Sequence, residues 1–496
     1  MVPLLAVSTS LLGCASPVIK PMTTPQEFLS AESLPLSPDS IPGLRTNIQS
    51  AEDRTVILFL HGMGDACPGY AIDEKLGWLS IDVEKSLHIQ RSSPNSDPHK
   101  ADDTLTIPDF DTSDPKSTLV VQRNRYTSTD TGKEVDAVEV TWSGLDRWLK
   151  DNQLGYDIST RRLPSKPPDQ LNRGDSILNC VDAVGGGYDQ SRVPVNRFFK
   201  DGLMDRNLAD VVVYVGSYGP KIIREFADAI CRVVKDDPLN GQATERCDWS
   251  KAPSTFSTHF MFVTHSLGSR IVYDTLLELS GKHTRPDTLV LEPDGLAKGG
   301  AAIRTLMSNT KAIYMMANQL PMLGLAYASP KLTSSEGPIR LEEISRQASS
   351  RTVPTEAATS LQPSSATAAK RRQAKRLAIS SANEHYDDPI LSLATRRADT
   401  VSQAIPLSTP PRLDIVAFSD ANDLLSYSLP EWYNDLADAT GVYVTNVFVH
   451  NGIRWLWLLE NPQTAHLGYI TNQREVWKVI ACGATKNLKP SCETTR

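Results

Sequence analysis

Four short stretches carry the side chains able to do chemistry. The first is Thr264-His265-Ser266-Leu267-Gly268, which follows the apolar run at 260–263 and precedes apolar residues at helical spacing, Ile271, Tyr273, Leu276 and Leu277. A serine at a tight strand-to-helix turn projects its Oγ above the sheet edge, where a helix N-terminus favours developing negative charge, so Ser266 is a candidate nucleophile. The same position also suits an ordinary helix N-cap. Such a turn needs small residues two positions before and after the serine, and here these are Thr264 and Gly268. The second stretch, His61-Gly62-Met63-Gly64-Asp65, ends the apolar hexamer at 55–60. A serine that attacks a carbonyl needs two backbone N–H groups aimed at the oxyanion: Leu267, directly after the serine, offers one and Met63 the other. Gly62 and Gly64 permit close approach to a substrate, and His61 is placed to fix the loop by a side-chain hydrogen bond. No Walker lysine and no G-x-G-x-x-G spacing accompanies these glycines, which weighs against a phosphate loop.

The third stretch comes after the apolar run at 413–418 and reads Ser419-Asp420-Ala421-Asn422-Asp423-Leu424-Leu425. An acid that orients a catalytic histidine belongs in a loop just after a strand. Asp423, with Leu424 and Leu425 to anchor the turn, fits that place; Asp420, nearer the strand end, competes, and the unused acid is expected to cap a helix. The fourth stretch must hold the base, and the histidines downstream of this acid are His450 and His466. His466 is expected in a loop between the last strand and the helical run at 476–480, where a base can hang over the strand ends. His450 comes directly off a strand and is expected to pack against the Asn451-Gly452 turn. His265, beside the serine, faces the wrong way for a general base and reads as structural.

Taken together, HGMGD, THSLG, FSDANDLLSY and PQTAHLGY resemble the site motifs of a lipase-like α/β-hydrolase, in that fold's order of oxyanion loop, Ser, Asp, His. The resemblance covers roughly 53–325 and 410–482. It implies a Ser266–His466–Asp423 triad cleaving carboxylic esters through an acyl-enzyme, with a lipid ester among the possible substrates and no metal or organic cofactor. An acyltransferase with the same triad, or a non-catalytic lipoprotein using the fold as a binding scaffold, are the alternatives. Met63, Trp455, Trp457 and the stretch 318–328 are candidate linings of an acyl pocket, core packing being the default for each.

Positioning those residues requires a sheet. Apolar runs at 55–60, 137–142, 211–215, 260–263, 312–316, 413–418 and 442–449 read as strands, with 119–125 pairing beside the second. Alternation with helical stretches such as 222–234 predicts an α/β class with a doubly wound, mostly parallel sheet, the α/β-hydrolase fold. The expected organisation is one such domain over 51–485. The polar stretch 86–133 and the segment 333–404 are insertions, the latter poor in large apolar side chains and expected to be disordered. A tether over 17–50 precedes the domain and a tail over 486–496 ends the chain.

The 496 residues carry 40% hydrophobic and 22% charged side chains, as a globular protein does, and a formal net charge of −7, which argues against nucleic acid as a partner. No apolar run is long enough to cross a bilayer. Residues 1–16, ending Leu11-Leu12-Gly13-Cys14, resemble a bacterial lipoprotein signal, although no Lys or Arg precedes the apolar part. That resemblance implies lipidation at Cys14, membrane attachment through the anchor alone, and a periplasmic or cell-envelope location. With Cys14 lipidated, six of the seven cysteines remain; Cys231 with Cys247 and Cys482 with Cys492 are the locally plausible disulfide pairs, leaving Cys67 and Cys180. None has metal-ligand spacing with a histidine.

Overall fold

The computed structural model describes residues 20–21, 40–64, 66–73, 77–92, 100–111, 117–154, 207–281, 299–327, 393–394, 397, 410–429, 437–449, 451, 462–471 and 474–485, with a few isolated positions besides. Its strands are β1 (Lys20–Pro21), β2 (Ser40–Ile41), β3 (Arg54–Leu60), β4 (Ile89–Arg91), β5 (Asp103–Pro108), β6 (Thr118–Ser128) and β7 (Glu134–Thr141). After these come β8 (Gly241–Gln242), β9 (His259–His265), β10 (Thr310–Met316), β11 (Leu413–Asp420), β12 (Val442–Val449) and β13 (Ala484–Thr485).

The near-continuous apolar runs become neighbouring parallel strands in the order β12-β11-β10-β9-β3-β7. A strand covered by helices on both faces has no polar face to show, which is why these runs do not alternate. In β3, Val56, Leu58 and Leu60 enter one apolar cluster with Phe226 and Ile230 of helix Gly219–Val234 and Leu276 of helix Leu267–Leu279. Ile57 and Phe59 enter the opposite cluster with Leu44 and Ile48 of helix Leu44–Ser50 and Val476 and Ile480 of helix Arg474–Cys482. The architecture is therefore α/β, with a mostly parallel sheet between two helical layers. Beyond β7 the sheet turns antiparallel through β6 and β5, with β4 also on β6, and β8 lies parallel to β5 at the rim.

Four expectations change. The run at 211–215 is not a strand: it lies in helix Ala209–Val215, with Tyr214 buried and Val212 exposed. The sheet position beside β7 is already filled by β6, and tertiary pairing overrides the β-propensity of three successive valines. The stretch 86–133 is no mere insertion, because it supplies β4, β5 and β6 to the same sheet. Its polarity belongs to half-buried antiparallel strands, and its buried charges are paired, as in Arg123 Nε donating to Asp103 Oδ2 at 3.0 Å. The segment 333–404 falls mostly outside the described residues, yet Leu393, Ala394 and Arg397 near its end are buried. Arg397 donates to the carbonyls of Met307, Thr310, Pro411 and Arg412, which ties this end to the bases of β10 and β11. Finally, the expected tether over 17–50 stops short: β2 pairs with β13, and Leu44 and Ile48 are core residues.

Cys231 and Cys247 form a disulfide, and Cys67 and Cys482 are also disulfide-bonded. Residues 1–16, including Cys14, lie outside the described residues as well. Among those described, no helix is long and apolar enough to cross a membrane.

Candidate active site

β9 ends at His265 and helix Leu267–Leu279 begins two residues later, leaving Ser266 alone to make the turn. It does so at φ 53 and ψ −124, a conformation that is costly for a residue with a Cβ and is held only when the surroundings enforce it. Here Ser266 N–H donates to Met316 O at 2.8 Å and Ser269 N–H to Ser266 O at 3.1 Å. A Cβ added at Gly268 would stand 2.5 Å from His61 O and 2.6 Å from Leu60 O, so only glycine lets the helix lie against the end of β3. The threonine at the other small-residue position is absorbed by hydrogen bonding. Thr264 Oγ1 donates to Tyr314 O at 3.0 Å and so accepts from Ser269 Oγ at 2.9 Å.

Ser266, His466 and Asp423 come together. His466 Nε2 is 3.0 Å from Ser266 Oγ, and its Nδ1 is 2.9 and 3.0 Å from the two carboxylate oxygens of Asp423. An ionised carboxylate only accepts, so Nδ1 carries the ring proton and the bare Nε2 accepts the Ser266 hydroxyl. His466 does not hang in a loop as expected: it is carried by helix Pro462–Thr471. Asp423 sits in the turn after β11, with its carboxylate further fixed by Leu425 N–H at 3.0 Å. Asp420 ends β11 and does not reach the histidine. Its Oδ1 accepts Asn422 N–H at 2.9 Å, and its Oδ2 accepts Asn451 N–H. Asn451 in turn donates from Nδ2 to Ala465 O at 2.8 Å, so Asp420 braces the helix that bears His466. Neither acid caps a long helix.

His265 is the second brace. Its Nε2 is 2.9 Å from the His466 carbonyl, which can only accept, so Nε2 is protonated. Burial, together with the neighbouring His466, lowers the His265 pKa to about 3 and keeps the ring neutral. It packs between Trp78, Tyr469 and His466, a structural place as its position beside the serine suggested.

The loop after β3 lies directly on Ser266. A Cβ added at Gly62 would stand 2.5 Å from Ser266 Cβ. His61 stacks on Trp142 at 5.1 Å between ring centroids, accepts Trp142 N–H at Nε2 (3.1 Å), and therefore donates from Nδ1 to Gly62 O at 2.8 Å. Gly64, at φ 97, donates its N–H to Asp210 Oδ2 at 2.6 Å, and Asp210 is also bound by Lys150. Met63 thus sits between two fixed glycines. Leu267, as the first residue of its helix, has an N–H with no acceptor one turn back. Leu267 follows Ser266 directly, and Met63 follows Gly62, the residue packed against Ser266.

Several participants escape a local reading. Trp142, Asp210, Lys150 and Asn451 are distant in the chain and carry no motif. Gln319 donates from Nε2 to Ser266 Oγ at 2.8 Å. Its signal in the sequence is the pair of amides, Asn318-Gln319, directly after the apolar run of β10, at the start of the stretch expected to line an acyl pocket. His450, Trp455 and Trp457 lie outside the described residues. Asp109, Asp111 and Glu225 lie close enough together to hold a cation. That place is filled instead by ion pairs from Arg246 to Glu225 (2.8 Å) and Asp111 (3.1 Å) and from Lys221 to Asp109 (3.6 Å). They lie by the end of β5, in the antiparallel part of the sheet, and not on the triad.

With the serine hydroxyl donating to an imidazole that is oriented by a carboxylate, the arrangement can deprotonate Ser266 as it attacks a carbonyl carbon. Comparison of the chain with protein families, curated proteins and solved structures returns no match.

Proposed function

We propose that the protein is a serine hydrolase of carboxylic esters built on an α/β-hydrolase fold. The observation that carries this reading is the continuous hydrogen-bond chain Ser266–His466–Asp423, with the serine at a positive-φ elbow above the ends of parallel strands. In the proposed reaction Ser266 Oγ bonds to the acyl carbon while His466 Nε2 takes the hydroxyl proton. Asp423 stabilises the imidazolium through the Nδ1 hydrogen bond, and the N–H groups of Met63 and Leu267 receive the oxyanion. His466 then returns its proton to the departing alkoxide, and a water molecule activated by the same base releases the acyl group.

Exposed apolar residues close to the site residues along the chain support a substrate with an acyl chain. Leu424, next to Asp423, and Leu325, just beyond Gln319, are exposed, and Met63 is only partly buried. Export to an oxidising compartment is part of the same proposal, supported by the disulfide-bonded Cys67, Cys231, Cys247 and Cys482. Lipid attachment at Cys14 rests on the sequence pattern.

The test is hydrolysis of p-nitrophenyl esters from short to long acyl chains, alongside labelling by a fluorophosphonate, with Ser266→Ala as control. Turnover and labelling by the native chain are expected, with loss of labelling and a rate loss of ~10⁴-fold or more in the variant. A folded native chain that neither turns over any ester nor takes the label is a binding scaffold. Turnover that rises when an alcohol is added, with the acyl group recovered on that alcohol, makes it an acyltransferase.

A further inference from the structure

Gln319 is fully buried at the turn after β10, with Nε2 2.8 Å from Ser266 Oγ and 4.0 Å from Met63 Sδ. The carboxamide orientation is set by the histidine tautomer. Because the Ser266 proton goes to His466 Nε2, Oγ can only accept from Gln319, and the amide nitrogen is the end that faces the nucleophile. The other end, Oε1, is buried without a hydrogen-bond partner among the described residues. A buried amide that serves only to hold a fold normally satisfies both ends, and this one satisfies only the end on the reacting atom.

The turn around it is fastened to both neighbouring parts of the site. Ala317 adopts φ 53, a left-handed conformation unusual for alanine, while its N–H donates to Phe418 O at 3.1 Å. Asn318 Nδ2 donates to Tyr427 O at 2.9 Å, and Tyr427 N–H returns a bond to Asn318 O at 2.8 Å, which locks the turn to the loop bearing Asp423. Asn318 Oδ1 accepts Leu320 N–H at 3.1 Å, and Leu323 N–H donates to Gln319 O at 3.0 Å. A donor held this way needs no reorganisation when charge develops beside it.

Accepting the serine-hydrolase reading above, we propose that the Gln319 side-chain amide is a third oxyanion donor, parked on Ser266 Oγ in the free enzyme. When Oγ bonds to the acyl carbon, its proton passes to His466 and the carbonyl π pair moves onto the carbonyl oxygen, which becomes an oxyanion on the same carbon that Oγ has joined. Oγ, now an acyl-bearing oxygen, is a poorer acceptor, and the Gln319 N–H turns its hydrogen bond to the adjacent oxyanion. No proton leaves Gln319. Its Nε2 reaches both Oγ, at 2.8 Å, and the side chain of Met63, at 4.0 Å to Sδ, so it shares the space over Ser266 with the residue whose N–H is the other proposed donor from outside the elbow.

The test compares the native chain with Gln319→Met, which keeps length but removes the donor, and Gln319→Glu, which keeps shape and adds negative charge. Active sites are titrated to completion with a fluorophosphonate and rates expressed per titrated site, so that poor folding lowers the titre and not the rate. With the best p-nitrophenyl ester, kcat in Gln319→Met is expected to fall ~10²- to 10³-fold with KM changed less than about threefold, the size of losing one oxyanion donor. Gln319→Glu is expected to fall further and to recover partly as pH is lowered and the carboxyl protonates. A kcat per site within about threefold of native in Gln319→Met, or a loss confined to KM, overturns the proposal while leaving the hydrolase reading intact. A native chain that takes no label and turns over no ester overturns both.

Discussion

At the scale of single residues, two aspartates three positions apart do different jobs. Asp423 presents both oxygens to His466 Nδ1, whereas Asp420 spends its oxygens on Asn422 and Asn451. Asp423→Asn replaces an acceptor with an amide that can offer N–H to a nitrogen already protonated, which favours the wrong tautomer, and kcat is expected to fall about 10⁴-fold. Asp420→Asn touches the histidine only through Asn451 and Ala465, and a loss of about tenfold or less is expected, with a lower unfolding temperature. Equal losses in kcat per labelled site for the two variants would contradict the division of labour. The choice between these acids was open in the sequence because both come after the same strand; it was closed by where helix Pro462–Thr471 delivers the ring.

At the scale of elements, the turn at Ser266 depends on how closely a helix can approach a strand. Gly268 is the tight point, since a methyl group there would meet the backbone oxygens of Leu60 and His61 at 2.6 and 2.5 Å. Backbone cannot swing aside as a flexible side chain can. Gly268→Ala is therefore expected to cost about 1–3 kcal/mol, measured by denaturant unfolding, and to displace the His61–Gly64 loop from Ser266. Its rate loss per folded site should exceed that of Thr264→Gly, which removes a hydroxyl bound to Ser269 and Tyr314 but leaves the approach unchanged. The departure of this turn from two flanking glycines is thus asymmetric: one side tolerates a side chain that is hydrogen-bonded, and the other tolerates none.

At the scale of the whole molecule, buried titratable groups couple folding to pH in opposite directions. His265 is held neutral, its pKa lowered by burial from 6.5 to about 3. Between those values the unfolded chain binds a proton that the folded chain refuses, so this group's contribution to stability is intact above pH 6.5 and is lost as pH falls towards 3. Glu139 and Glu225 act the other way, their pKa values raised by burial from 4.5 to about 7, so their contribution is present below 4.5 and lost as pH rises through 7. The His265 contribution is isolated by comparison with His265→Gln, which keeps a donor for the His466 carbonyl and does not titrate. The native chain is expected to lose roughly 3 kcal/mol relative to that variant between pH 7 and 4, read from urea unfolding at each pH. A difference independent of pH would mean that His265 is not held neutral by burial.

Sequence alone determined the features that depend on near neighbours. Apolar runs without alternation marked the buried parallel strands β3, β9, β10 and β11, and the order of glycine loop, serine, acid and histidine along the chain pointed to Ser266 and His466 and narrowed the acid to Asp423 or Asp420. Tertiary structure decided whatever depends on competition for a place. Three valines at 211–213 became helical because β6 already occupied the edge of β7. The polar stretch 86–133 became sheet because its charges found buried partners across strands. Asp423 prevailed over Asp420, and Gln319 reached Ser266, because the strand ends of β9, β10 and β11 lie side by side only once the sheet is assembled. Periodicity and spacing report on residues a few positions apart, whereas the hydrogen bonds to Ser266 are made across strands, between residues that the chain itself keeps far from one another.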